Sequence, residues 1–458
     1  MGRVVMNAVI KALLCYFLNL IVPSCPGMVW CGRMYEQLSM FPPVGLLYYG
    51  QGDEQMVPKM MRAIAAFQTL PIRDEASLQD VWLPVPTPRP NDVLVKILAI
   101  SVNPVDVRIR HALHGQKRPH VLGFDAVGEI VQLGVDVRDF TVGDRVFYFG
   151  STQRPGSNAE YQLVDYRLIA KAPQRLTLGQ TAALPMTAVT AWELLFERMS
   201  IPAAAHATHG SMLVINAAGG VGSILVQLAQ WAGLDVIAVA SRVNWPWLKK
   251  YGIHKLADYH SDLTPQVQAL GYDMVDYIAT LYDPVPYFGA IADLIAPMGH
   301  VGSIVATDDS LPVAWLKNKS VSLDWEYVFS KSDYAYQMAT QGQILQRLSA
   351  LLDAGALRST IAYNFHGINA RNLRQAQAML ETKNTIGKIT LQAPFDGEAK
   401  ALDDIVWKDP QSYADETLVA FPSRRPDDGD RRAGTDSGQR HLVHPTGRPS
   451  DRGKDRQH

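Results

Sequence analysis

Cysteine is almost missing from this chain: three in 458 residues, at Cys15, Cys25 and Cys31, and none from Gly32 to His458. That scarcity excludes a disulfide-stapled fold for the main body. It also excludes a thiolate-held zinc or iron–sulfur centre there. Surplus charge is missing too. Lys and Arg number 43 against 44 Asp and Glu, a formal net charge of −1, so the bulk electrostatics offer nothing to nucleic acid or an anionic membrane. Long clean apolar runs are scarce. The nearest, Val4 to Val22, follows Arg3 and is interrupted by Asn7, Lys11 and Asn19, which suits a membrane helix badly. Pro23-Ser24-Cys25-Pro26 after it makes a poor signal-peptide cleavage site.

What is present is the composition of a globular protein with a sizeable core, 47% hydrophobic and 19% charged. The length suits two or three domains. Residues 1–59 read as an extension outside the functional protein, a non-native start or a weak apolar leader, because Met60-Met61-Arg62-Ala63-Ile64-Ala65-Ala66 looks like a natural first strand. Residues 393–458 read as a disordered or non-native tail, poor in aliphatics and ending in alternating arginine and aspartate.

Two textures share the body. Residues 60–185 carry short β-rich runs, Asp92 to Ile100, Ala126 to Val131, Asp144 to Tyr148 and Ala159 to Val164, closely punctuated by Gly and Pro. They predict a partly closed antiparallel barrel. Over 186–330 strands alternate with helices: Ser211 to Asn216, the helix Ser223 to Ala232, Asp235 to Ala240, Met274 to Ala279, a helix around Tyr287 to Ala296, and His300 to Val305. This rhythm predicts an α/β domain with a doubly wound parallel sheet. Residues 331–392 open with a helix predicted over Tyr334 to Ala354 and return to the first domain.

The most informative motif is Ala217-Ala218-Gly219-Gly220-Val221-Gly222, with an apolar strand before it and a helix after. Gly219 and Gly220 allow a tight turn and close approach to a pyrophosphate, and Gly222 allows helix and strand to pack closely. The helix start then offers free N–H groups to the phosphates. This is a Rossmann loop. Beyond the next strand an NAD site places Asp or Glu, whereas this chain has Ser241-Arg242. An arginine there suits a 2′-phosphate, so NADPH is the expected cofactor. Lys250 and Tyr259 are further candidates for the adenine side.

Several motifs in order resemble the medium-chain dehydrogenase/reductase superfamily: Asn103-Pro104-Val105-Asp106, Val121 to Gly128, Gly143-Asp144-Arg145-Val146 and the glycine loop. Gly156 to Val164 and Ile386-Gly387-Lys388 narrow the likeness to its quinone oxidoreductase branch, and further to bacterial zinc-type alcohol dehydrogenase-like proteins. The resemblance implies a GroES-like β-rich catalytic domain with an inserted Rossmann domain, and a cytoplasmic homodimer or homotetramer. It also points to Asn103 as a contact for nicotinamide ribose or substrate oxygen, to Asp106 as a loop-orienting group and to Asp125 as a supporting one. Tyr148 and Tyr161 are candidate donors or walls for a flat substrate. Ser303 and Lys388 are expected to approach the cofactor, alongside Ala218, Gly219, Gly220, Val221, Gly222, Ser241, Arg242 and Tyr259.

The same resemblance highlights a departure. Zinc-bearing relatives have His in a Gly-His-Glu motif and Cys near Asn103; here the motif reads Gly123-Phe124-Asp125. His111, His114 and His120 are close in sequence, yet read better as a polar loop than as ligands. No metal is expected. Without a Lewis acid to stabilise an alkoxide, reduction of a conjugated acceptor is easier than oxidation of an alcohol. The expected activity is NADPH-dependent hydride transfer to a quinone or α,β-unsaturated carbonyl. Two alternatives stand beside it: a true zinc-type alcohol dehydrogenase, and an NADPH-binding protein without catalytic work.

Overall fold

Runs of β-branched residues build the first half of the chain around one long strand. In chain order the strands are β1 (Met60–Ala66), β2 (Gln79–Pro84), β3 (Asp92–Ser101), β4 (His120–Val121), β5 (Asp125–Leu133), β6 (Arg145–Tyr148), β7 (Tyr161–Asp165) and β8 (Ala170–Lys171). The computed structural model describes residues 57–405 apart from 114, 116 and 117. Readings that fall on 1–56 or 406–458 lie outside the described residues. β3 pairs antiparallel with β5 and, at its other edge, with β7. Two irregularities in its register with β5 let the long strand bend, as bulges do. The sheet continues from β5 through β6 to β8, while β1, β2 and β4 form a separate three-stranded sheet. The result is the partly closed barrel that the strand pattern predicts. α1 (Pro104–His111) leaves the end of β3, with proline at its first position, where a missing N–H costs nothing.

Two helices, α2 (Leu178–Ala182) and α3 (Pro185–Trp192), lead into the second domain. Its strands are β9 (Ser211–Ile215), β10 (Asp235–Val239), β11 (Lys255–Ala257), β12 (Val275–Thr280), β13 (Ile295–Ser303) and β14 (Ser322–Trp325). They lie in the order β11-β10-β9-β12-β13-β14 and all pair parallel. Both faces of β9 are buried, as a parallel sheet requires. Met212 and Val214 join the large core shared with the barrel, whereas Leu213 and Ile215 feed a second cluster on the opposite face. The crossovers carry α4 (Gly220–Ala232), α5 (Trp245–Lys250), α6 (Leu263–Ala269), α7 (Phe288–Leu294) and α8 (Ala314–Lys317). The chain leaves β9 toward β10 on one side and later resumes at β12 on the other. That reversal is where doubly wound sheets bind ligands.

The segment after β14 carries α9 (Ser330–Asp333) and crosses back toward the barrel. It is tied down by a buried charge cluster. Lys331 Nζ lies 2.9 Å from Glu193 and 2.7 Å from Glu197. Burial, together with neighbouring Glu193, pushes the Glu326 carboxyl up to about 9. This anchorage sets Phe329 against Phe124 and Phe149, with ring centroids 5.0 Å and 5.7 Å apart.

α10 (Ala339–Asp353), β15 (Ile361–Ile368), α11 (Ala370–Glu381) and β16 (Lys388–Phe395) complete the barrel side. β16 pairs antiparallel with β3, and β15 lies beyond it. Two expectations need correction. The long helix begins at Ala339 rather than Tyr334, because Ala335 and Gln337 adopt φ of 50° and 48°, outside helical geometry. The folded body also runs past Gln392. Trp82 N–H donates to Lys400 O at 3.0 Å, Lys400 N–H donates to Asp80 O at 3.0 Å, and Ile405 is buried against β1 and β2. No helix among the described residues is long and apolar enough to cross a membrane.

A chain ended after Gln392 is therefore expected to unfold at lower denaturant than one ended after Ile405. Ile405→Ala in the longer chain is expected to cost about 2–4 kcal/mol. Equal midpoints in urea titrations would show that this closing strap contributes nothing.

Candidate cofactor and active site

The glycine loop sits where the sheet reverses, directly after β9. Asn216 turns the chain with φ of 66°, and Gly219 caps α4 in an extended conformation. A Cβ on Gly222 would lie 2.4 Å from Asn216 O, and one on Gly220 would lie 3.1 Å from Lys388 Cδ. The turn thus admits no side chain at Gly222 and brings the helix start close to the barrel. The first N–H groups of α4 have no acceptor within the helix, and the positive end of its dipole faces the loop mouth. This cradle fits a dinucleotide pyrophosphate.

β16 approaches the loop from the barrel. Gly387 N–H donates to Ala218 O at 2.9 Å, and Trp247 Nε1 donates to Ser223 Oγ at 2.8 Å. Lys388 then reaches across the seam. Its Nζ donates to Val102 O at 2.8 Å, to Asp125 Oδ2 at 3.1 Å and to Asn103 Oδ1. Asn103 Nδ2 donates to the same Asp125 oxygen at 2.8 Å, and Met186 N–H donates to Asp125 Oδ1 at 2.7 Å. Asp106 closes the turn by accepting from the N–H of Asn103 at 2.7 Å and of Gly123 at 3.1 Å. Burial pushes the Asp106 carboxyl up to about 7, against the pull of the Asn103 N–H and the Lys388 ammonium. The side chains of Asn103, Asp106, Asp125 and Lys388 are all buried. Their donors and acceptors satisfy one another, as a stable buried polar network demands.

The geometry ties three of the candidate catalytic side chains into contacts within the protein. Asn103 is engaged on both amide atoms: its oxygen accepts from Lys388 and its nitrogen donates to Asp125. Tyr148 is fully buried, with its hydroxyl donating to Gln162 Oε1 at 2.9 Å. Its place is inside the barrel, and burial raises its phenol above the ordinary range. Tyr161 packs against the small cluster of Met61, Ala63, Phe67 and Ile405, on β7 and away from the Asn103 turn.

The remaining residues fall along the carboxyl edge of the parallel sheet. Ser303 ends β13 and is buried, its Oγ donating to Val305 O at 3.2 Å. Ser241 and Arg242 follow β10; the Arg242 side chain is 71% exposed and its Nε donates to Asp258 at 3.0 Å. Tyr259 follows β11, 42% exposed. Phe329, Trp247 and Asp258 were not visible as site residues in the sequence, since each arrives through packing between segments far apart in the chain.

The donor set does not fit a zinc ion. Such a site needs three side-chain ligands and an open position. Phe124, where the imidazole is expected, is buried against Phe329 and offers no donor atom. Asp106 and Asp125 are committed to the contacts above. The His111 ring lies 2.9 Å from Arg110 and 3.1 Å from Glu381, His120 is in β4, and His114 lies outside the described residues. Among the described residues no three His, Cys, Asp or Glu side chains gather as metal ligands.

Comparison with known proteins matches this architecture. The alcohol dehydrogenase GroES-like domain matches residues 89–174, and a domain described as zinc-binding dehydrogenase matches residues 251–391. A zinc-type alcohol dehydrogenase-like protein of Staphylococcus aureus is 38% identical over 309 residues, 67% of this chain and 92% of that protein. The chain belongs to the medium-chain dehydrogenase/reductase superfamily. A solved structure from Rhizobium etli, provisionally assigned to the zinc-dependent alcohol dehydrogenases, superimposes with a TM-score of 0.70 at 38% identity, covering 74% of this chain and 99% of that one. The quinone oxidoreductase of Coxiella burnetii gives a TM-score of 0.61 at 26% identity, covering 73% and 100%. A chloroplast envelope quinone oxidoreductase homolog of Arabidopsis thaliana is 34% identical over 199 residues, 43% of this chain and 60% of that protein. The chain is thus an oxidoreductase of this superfamily, with its GroES-like and Rossmann domains and a nicotinamide cofactor.

Lys388→Met should leave Asp125 buried without its counter-ion. The expected loss is about 3–5 kcal/mol of folding stability, read from denaturant unfolding, with Asp125→Asn in the same background recovering part of it. A Lys388→Met protein as stable as the parent would show that the seam does not depend on this pair.

Proposed function

We propose that this chain is an NADPH-dependent reductase that transfers hydride to a quinone or an α,β-unsaturated carbonyl without a metal. The observation that carries the reading is the replacement of a ligand sphere by a hydrogen-bonded seam. Phe124 and Phe329 occupy the ground where a zinc ligand is expected, and the neighbouring carboxylates are closed off by Lys388 and backbone N–H groups.

Bound nicotinamide supplies the hydride. The residues of the chain provide the rest. The glycine loop and the start of α4 hold the pyrophosphate, and Lys388 with Asn103 and Asp125 fixes the barrel turn beside that loop. Phe124 and Phe329 pack against each other in the core behind the turn and help exclude water from it. Because Lys388 spends its donors on Val102, Asn103 and Asp125, and Asn103 donates its amide nitrogen to Asp125, the network leaves little electrostatic help for a localised alkoxide. Acceptors that spread the arriving charge over a conjugated oxygen suit such a site better than alcohols do. Quinone oxidoreductases among the relatives point the same way.

The choice of NADPH rests on the end of β10, where Ser241-Arg242 stands in place of an acidic residue. The Arg242 guanidinium keeps its two terminal nitrogens available beyond the bond to Asp258. A cytoplasmic homo-oligomer is part of the same reading.

Steady-state assays with NADPH against quinones, enones and 2-alkenals should show turnover with at least one class. Arg242→Ala is expected to weaken NADPH about tenfold while leaving NADH nearly unchanged. No turnover with any acceptor despite tight cofactor binding, or equal losses for both cofactors, would overturn the reductase and the NADPH reading respectively.

A further inference from the structure

The carboxyl ends of β10 and β11 lie side by side, joined by Ala240 N–H donating to Ala257 O at 3.0 Å. Asp258 is the next residue, and it is buried although it is an aspartate at the edge of a cleft. Gln266 fixes its backbone at both ends, accepting from Asp258 N–H at 2.8 Å and donating to Asp258 O at 2.9 Å. Its two carboxylate oxygens face different partners. Oδ2 accepts from Arg242 Nε at 3.0 Å, and Oδ1 lies 2.7 Å from His260 Nδ1 and accepts from His260 N–H at 3.2 Å.

One buried carboxylate therefore grips two exposed basic side chains by their inner nitrogens. The Arg242 side chain is 71% exposed and that of His260 is 59% exposed. The outer nitrogens, Nη1 and Nη2 of Arg242 and Nε2 of His260, make no hydrogen bond among the described residues. Flat neighbours steady both groups: the guanidinium lies 5.6 Å from the Trp245 ring centre, and the imidazole stacks on Tyr259 at 4.2 Å. With both ring nitrogens of the imidazole protonated, His260 Nε2–H and the outer guanidinium nitrogens of Arg242 make a fork of donors for a tetrahedral dianion. They sit one strand away from the loop that cradles the pyrophosphate.

We propose that His260 is a second phosphate-binding residue beside Arg242, and that Asp258 is the positioning residue that orients both toward a phosphate monoester on the adenosine ribose. This rests on the NADPH reading above and deepens it. An aspartate here, standing alone, would favour an unphosphorylated ribose. Its charge is instead spent inward: burial opposes ionisation, but the bonds from His260 and Arg242 hold the carboxyl below its ordinary range, so it remains an anion that pins two donors.

The test uses two fragments of the cofactor, adenosine 2′,5′-bisphosphate and 5′-AMP, titrated calorimetrically against the full chain. The parent protein should prefer the bisphosphate. His260→Ala should weaken the bisphosphate about five- to tenfold and leave 5′-AMP unchanged, which also shows that the site is still folded. His260→Arg should restore most of the loss. Asp258→Asn should also weaken the bisphosphate selectively, because both donors are released. If the parent shows no preference, the NADPH reading fails and this proposal with it. If the parent prefers the bisphosphate and His260→Ala keeps that preference, or Asp258→Asn tightens it, the proposal alone is overturned.

Discussion

The ion pair between Lys388 and Asp125 is the interaction on which the rest of this site depends. Both groups are buried, and a buried charge without a partner is costly enough to reorganise its surroundings. Here the pair is completed by Asn103, the Val102 carbonyl and the Met186 N–H. Residues from the start of the barrel, the entry to the second domain and the last strand are thereby fixed to one another. The Lys388 stem passes close along Gly220. The same side chain thus borders the glycine loop and fixes the barrel turn.

That arrangement changes what the turn can do. In a metal-bearing site the same region supplies ligands, and charge developing on substrate is met by a cation of high charge. In this chain the Lys388 ammonium at the turn already directs its three donors at Val102, Asn103 and Asp125. The seam is rigid and electrically closed. Phe124 and Phe329 add buried apolar packing behind it. A site of this kind selects its chemistry by what it withholds, and acceptors that carry their own charge delocalisation remain.

Much of the fold was legible because it is written locally. The short β-rich runs of β5 and β7, the continuous apolar run of β9 and the glycines after it follow from strand and turn chemistry that neighbours in sequence decide. The cofactor loop is legible for the same reason. The barrel turn was only half legible. Asn103, Asp106 and Lys388 could be picked out by resemblance, but their mutual bonds span 285 positions between Asn103 and Lys388, and no local pattern shows that an amide is already satisfied. Tyr148 shows the same limit: a tyrosine in a strand looks the same whether its hydroxyl meets a substrate or Gln162. The start of α10 was misplaced because two positive φ angles, at Ala335 and Gln337, interrupt a sequence with reasonable helix propensity. Residues 393–405 look polar and irregular, yet β16 and the small sheet hold them through backbone bonds that composition does not reveal.

The central claim is that hydride transfer here proceeds without a metal because the ligand sphere has been replaced by the Lys388–Asp125–Asn103 seam. The most direct measurement is the zinc content of purified protein, taken alongside NADPH oxidation with an active conjugated acceptor before and after treatment with a strong chelator. The account predicts zinc far below one ion per chain and a rate unaffected by the chelator. One zinc per chain, removed by the chelator together with activity and restored by adding the metal back, would contradict it.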